Sequence, residues 1–199
     1  KYAEGRDAGG IGAVRALAHG DTGGFDDLPA EVRGERAWIA NVAGDAQRDA
    51  LLRALQPRFA RIGFARASAR FERLHLAYAV PQRLGIDRFL ALLAATHAGA
   101  DAVLLASVGT ALTLDLLAAD GHHVGGLIAP SPSLMRESLR LRIGRLPQAG
   151  GTRVDFATDT TDALASGCEG ATLALIAATL ANAERKLGAR PALWLHGGG

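Results

Sequence analysis

Apolar positions bunch most clearly between Asp101 and Pro130, where DAVLLASVGTALTLDLLAADGHHVGGLIAP reads as three strands joined by two tight turns. The run Ala102–Ala106 is continuously apolar, the pattern of a strand buried on both faces. Ser107-Val108-Gly109-Thr110 reverses the chain into a second strand, Ala111–Ala118. Asp120-Gly121 is a strong hairpin signal, and a third strand follows over His122–Ile128. Around this meander the period changes to that of helices: Phe89–His97, Ser133–Leu141 and Thr161–Leu187. Gly167 and Gly170 each cost a helix up to ~1 kcal/mol, so the last of these is expected to split in two. Ala192–Leu195 reads as a further strand. Upstream, Trp38–Val42 and Arg61–Ala65 read as strands flanking a helix over Asp45–Leu55. The chain is therefore an α/β protein.

Two spots in this pattern carry chemistry. A strand, a Gly109-Thr110 turn and a second strand can point backbone N–H groups and a hydroxyl at a phosphate without a Walker-type lysine. An ordinary meander with a glycine turn would read the same way. Just before the first helix of the second half, Gly85-Ile86-Asp87-Arg88 sets a carboxylate beside a guanidinium. Asp87 stands where an N-cap belongs, and Arg88 reads structurally as a solvated charge. Functionally, the pair can accept a hydroxyl proton and steady an anion.

Composition narrows the class. Of 199 residues, 49% are apolar and 21% charged, which marks a folded globular chain. A formal charge of +2 with scattered arginines gives no footprint for nucleic acid. The single cysteine, Cys168, excludes an internal disulfide, suits a reducing cytoplasm, and reads as a buried inert thiol. No uninterrupted run of 18 apolar residues is present, so no membrane span is expected. His122 and His123 fall on opposite strand faces and make a poor metal pair. Gly9-Gly10 and Gly23-Gly24 follow no strong strand and read as loops. Arg136, Arg140, Arg142 and Arg145 read as a solvated helix face and its exit.

The order Tyr78…Pro81…Gly85-x-Asp87-Arg88, Gly109-Thr110-Ala111, Gly125-Gly126-x-Ile128 and Leu146-Pro147, then Asp159-Thr160…Ser166-Gly167 and Gly197-Gly198, resembles that of type III pantothenate kinases. The resemblance runs from about residue 74 to 199 and more thinly before it. It implies the duplicated ribonuclease-H-like fold of the acetate and sugar kinase, Hsp70 and actin superfamily, with ATP between the halves. Those halves would be residues 1–84 and 85–199. It implies ATP-dependent phosphorylation of pantothenate to 4′-phosphopantothenate, the first step toward coenzyme A, by a cytoplasmic homodimer that acts on pantothenate and ATP without nucleic acid or membrane.

The same resemblance assigns roles. Asp87 is the catalytic base; Tyr78, Gly85, Ile86, Asp87, Arg88 and Thr160 bind pantothenate, Thr160 across the dimer interface. Lys1, Gly109, Thr110, Gly197 and Gly198 bind ATP, which brings Mg2+. Lys1 stands as the final lysine of the family's Asp-x-Gly-Asn-x-x-x-Lys loop, and both ends are read as shorter than the family's. Ser107 replaces the family's cation-binding aspartate, and a neutral serine oxygen is a weak ligand for K+ or NH4+. Ser131 stands in place of a usual glycine and His196 in place of a usual threonine. Two other readings stay open: a non-catalytic relative that binds a metabolite or assists gene regulation, and a superfamily kinase or phosphohydrolase with a different substrate. Nucleotide binding without turnover favours the former; turnover of another alcohol favours the latter.

Overall fold

The computed structural model describes residues 28–99 and 101–197, together with Ala3, Gly12, Val14 and Arg15. Lys1 and Gly198 lie outside the described residues. The chain is a mixed α/β protein in two compact units, one up to Arg66 and one from Ala67.

In the first unit, β1 (Gly34–Ile39) and β2 (Phe59–Phe64) pair in parallel, connected through α1 (Asp45–Leu55). Parallel neighbours require such a crossover. Leu28, Ile39 and Leu55 are buried together, with Phe59, Ile62 and Phe64 against them. Helix α1 has the bounds the pattern predicts, whereas β1 begins four residues and ends three residues earlier than expected. Asn41 accounts for the early stop: its Oδ1 accepts from the Ala43 N–H at 3.1 Å and its amide donates to the Ala43 carbonyl at 3.0 Å. That local turn competes with the sheet ladder.

The second unit begins with the short hairpin of β3 (Arg70–Phe71) and β4 (Leu74–His75) and one 3₁₀ turn at Pro81–Arg83. Helix α2 (Ile86–His97) precedes the meander of β5 (Val103–Val108), β6 (Ala111–Leu117) and β7 (His123–Pro130). Helices α3 (Pro132–Ile143) and α4 (Thr160–Leu187) then carry the chain to β8 (Ala192–Gly197). The sheet order is β7-β6-β5-β8, antiparallel within the meander and parallel between β5 and β8.

Alternation along the strands builds the two faces. Leu104, Ala106, Leu112, Leu114 and Leu116 are buried against Ile176, Leu180 and Ala183 of α4. Leu105, Ser107, Thr113 and Asp115 point to the opposite face, where α2 packs on β5 and β6. Helix α4 runs unbroken for 28 residues despite its glycines. Its buried stripe, Leu164, Cys168, Thr172, Ile176, Leu180 and Ala183, recurs every three or four residues, and this packing outweighs the propensity cost. Asp159 caps its start by accepting from the Thr161 and Asp162 N–H groups, and Gly188 at φ 75° ends it. Among the described residues α4 alone is long and apolar enough to cross a membrane, a run the sequence reading excluded by requiring unbroken apolarity. One face of α4 is instead spent on the sheet. Burial pushes the Cys168 thiol above its ordinary value, as suits an inert core cysteine.

Candidate active site

The meander and α2 form a cleft in the second unit, lined by Asp87, Arg88, Ala91, Leu105, Ser107, Thr113, Asp115 and His196. Strand register explains its floor. Ser107 of β5 pairs with Thr113 on one side and His196 on the other, so three polar side chains form a row across the sheet. Two residues earlier in β5, Leu105 pairs with Asp115, which in turn faces Gly126 of β7.

Helix α2 forms the wall. Its N-cap is Gly85, with no side-chain cap, and Asp87 is the second helical residue. The expected N-cap role for Asp87 is thus corrected: the turn at Pro81–Arg83 brings the chain into the helix two residues sooner. Asp87 is exposed at the cleft and makes no hydrogen bond or ion pair with any described residue. Its negative charge in the first turn is favoured by the helix dipole. Asp87 Oδ1 lies close over Gly85, 2.6 Å from where a Cβ would stand, so a side chain there would turn the Asp87 carboxylate.

Arg88 behaves unlike the solvated charge expected of it. It is only 6% exposed and grips Asp115 with two nitrogens, Nε to Oδ2 at 2.7 Å and Nη2 to Oδ1 at 2.6 Å. Nη1 donates to the Tyr78 hydroxyl at 3.3 Å. His123 is also buried, and its Nε2 lies 2.9 Å from Asp115 Oδ1. A carboxylate only accepts, so that nitrogen carries the hydrogen. The Tyr78 ring stacks over the His123 ring at 5.9 Å with 16° between planes.

Burial alone would push the Asp115 carboxyl up, but the hydrogen bond from His123 and the bonds and charge of Arg88 outweigh it and hold it below its ordinary value. Burial likewise works against the Arg88 charge, and the Asp115 bonds and charge raise its pKa in spite of it. Gly126 makes the pair possible: a Cβ there would overlap Arg88 Nη2, Asp115 Oδ1 and the Leu114 carbonyl. Sequence reasoning singled out neither Asp115 nor a role for His123. The signal was a lone carboxylate in the apolar strand ALTLDLL, opposite paired glycines. His122, by contrast, is exposed, with Nδ1 3.1 Å from Asp120 Oδ2, on the other strand face as expected.

The remaining candidates are dispersed. Ile86 is buried beside Gly85, and Tyr78 is half-buried against Arg88. Gly109 and Thr110 form the turn between β5 and β6, with the Gly109 N–H donating to the Ala111 carbonyl at 3.0 Å. Thr110 is exposed, and its carbonyl accepts from the Ser131 hydroxyl at 3.0 Å. Ser131 also caps α3 by accepting from the Leu134 N–H, so this departure from the expected glycine ties the turn to a helix. Gly197 ends β8 at φ 127°, so close to Val108 that a Cβ would overlap the Val108 carbonyl. Thr160 is exposed at the start of α4 and is not a cleft residue.

Comparison with known proteins gives this arrangement its setting. A family model described as type III pantothenate kinase matches residues 22–182. A type III pantothenate kinase of Stenotrophomonas maltophilia strain K279a is 48% identical over 189 residues, covering 94% of this chain and 77% of the relative. One from Xanthomonas oryzae pv. oryzae strain PXO99A is 48% identical over 192 residues with the same shares. In fold, the chain is similar to a solved structure of a conserved Campylobacter jejuni protein assigned to the Baf family of transcriptional activators. That likeness has a TM-score of 0.52 at 21% identity and covers 84% of this chain and 70% of the other. With nearly half of its residues identical to those relatives over almost its full length, the chain belongs to the type III pantothenate kinase family.

Proposed function

We propose that this protein transfers the γ-phosphoryl group of ATP to the primary hydroxyl of pantothenate, with Asp87 and Arg88 at the reacting end of the cleft. The observation that carries the reading is the pairing of an exposed, uncommitted Asp87 carboxylate with a locked Arg88 guanidinium, in a chain of this family. The hydroxyl oxygen attacks the γ-phosphorus, the bond to the ADP oxygen breaks, and the hydroxyl proton passes to Asp87. In a loose transition state that proton leaves late, so the carboxylate serves by orienting the hydroxyl.

Arg88 has its Nε and Nη2 bound to Asp115, which leaves Nη1, beside the Tyr78 hydroxyl, as its edge toward an anionic substrate group. We assign pantothenate contacts also to Tyr78, Gly85 and Ile86, and to Thr160 through a homodimer. We assign ATP phosphates to Gly109 and Thr110, with Gly197 beside them on the neighbouring strand; Lys1 and Gly198, expected to bind ATP as well, lie outside the described residues. Among the described residues no three His, Cys, Asp or Glu side chains cluster as metal ligands, and the oxygens of Asp115 are already committed. The donor set therefore suits a Mg2+ held chiefly by the nucleotide's own phosphates, where it would neutralise charge on the transferring group. Ser107 and Thr113 offer hydroxyls without charge, a poor match to a monovalent cation.

The mixed sheet of the second unit, faced by α2 and α4, is what supports our ribonuclease-H-like reading; the compact unit that holds it begins at Ala67, ahead of the expected boundary at residue 85. The cytoplasm is the compartment we assign to the reaction. The decisive assay is ATP-dependent phosphorylation of pantothenate beside Asp87→Asn. Turnover that disappears in a normally folded, nucleotide-binding variant is the expected result. Near-normal turnover by Asp87→Asn would remove Asp87 from the catalytic role, and no turnover by either protein would remove the reading.

A further inference from the structure

We propose that Asp115 and His123 are positioning residues for this reaction: Asp115 fixes the Arg88 guanidinium through Nε and Nη2, and His123 fixes Asp115. The inference rests on the functional reading above and deepens it.

Three observations converge on it. The Arg88–Asp115 contact is a two-point grip, which sets the plane of the guanidinium as well as its place, and one point would leave rotation free. Both partners are almost fully buried, with side chains 5% and 4% exposed, so little solvent competes for either bond. A third acceptor site of Asp115 is taken on the other side by His123, whose side chain is fully buried. Asp115 consequently has one orientation that satisfies all three bonds. The Nη1 edge of Arg88 is the part left over, directed toward Tyr78. Tyr78 in turn stacks on His123, so the hydroxyl beside Nη1 stands on the same support. Arg88 lines the same cleft as Asp87, with Nη1 the one guanidinium nitrogen not bound to Asp115.

The test is steady-state kinetics of the full chain with pantothenate and ATP varied separately, on Asp115→Asn, His123→Leu and His123→Gln. Asp115→Asn should raise the KM for pantothenate by about 10- to 100-fold, the range for losing bonds between charged groups, with the KM for ATP within about twofold. His123→Leu should raise the pantothenate KM in the same sense. His123→Gln, whose amide nitrogen can reach the place of Nε2, should restore it, although leucine fills the volume at least as well. Packing alone would be met by leucine, so this order separates positioning from structure.

Should Asp115→Asn fail to fold, the histidine pair decides by itself. The double variant Arg88→Met/Asp115→Leu adds a second readout: it should regain part of the melting temperature lost by either single change, with His123 Nε2 left without its acceptor, and yet not recover the pantothenate KM. Wild-type turnover together with unchanged pantothenate KM in folded Asp115→Asn and His123→Leu would overturn the inference alone. Wild-type protein that does not phosphorylate pantothenate would overturn the functional reading and the inference with it.

Discussion

Replacing Gly126 by alanine puts the buried charge pair under a load that the structure lets one estimate. The added Cβ would overlap three atoms: Arg88 Nη2, Asp115 Oδ1 and the Leu114 carbonyl oxygen. The carbonyl belongs to the neighbouring strand β6 and cannot swing aside, so either β7 moves off β6 or the ion pair yields. Overpacking a tight site costs about 1–3 kcal/mol. Breaking a buried pair costs about 3–5 kcal/mol. A destabilisation of about 2–4 kcal/mol is therefore expected. For a chain of this size each kcal/mol lowers Tm by about 2–4 °C, so calorimetry should find Gly126→Ala melting roughly 4–16 °C lower. Gly167→Ala is the internal control, because its Cβ would meet nothing within 4 Å and the site is helical. That change should raise stability by about 0.5–1 kcal/mol. Gly126→Ala melting within 1 °C or so of the parent would refute the close packing inferred between β7 and the pair.

Other expectations are briefer. Ser131→Ala removes the α3 cap and the bond to the Thr110 carbonyl, and should cost about 1–2 kcal/mol in urea unfolding. Asp115 has a folded pKa below its unfolded value, so its contribution to stability is complete above the ordinary carboxylate range and is lost as pH falls through the folded value. Unfolding midpoints followed from pH 7 downward should therefore drop on the acid side, and Asp115→Asn should flatten that drop; an identical slope in the variant would dismiss the assignment. With Ser107 in place of a charged ligand, turnover should change less than about twofold when potassium is exchanged for a bulky organic cation. A strict potassium requirement would contradict it.

What the sequence disclosed depended on range. The meander was legible because each strand is an apolar run and each turn carries its own local chemistry, Gly109-Thr110 and Asp120-Gly121. Asp87 and Arg88 were legible as candidates because they are adjacent, but their environments were not. Arg88 meets Asp115 across 27 residues of chain, and that meeting depends on α2 lying over the sheet. Asp115 alone looks like an interruption in a strand, and only register, which sets it opposite Gly126, gives it a purpose. The helix breaks expected at Gly167 and Gly170 failed for a related reason. Local propensity spoke against the helix, while burial of one face against β5 and β6 decided for it.

The Arg88–Asp115–Gly126 arrangement has an evolutionary consequence. Losing Asp115 strands a buried cation, losing Arg88 strands a buried anion, and adding a side chain at residue 126 forces the two apart. Each single step passes through a less stable protein, while the joint replacement of both charges, together with His123, by apolar groups does not. A lineage abandoning the chemistry would thus be expected to change the two charges together, leaving few stable intermediates that keep only one of them.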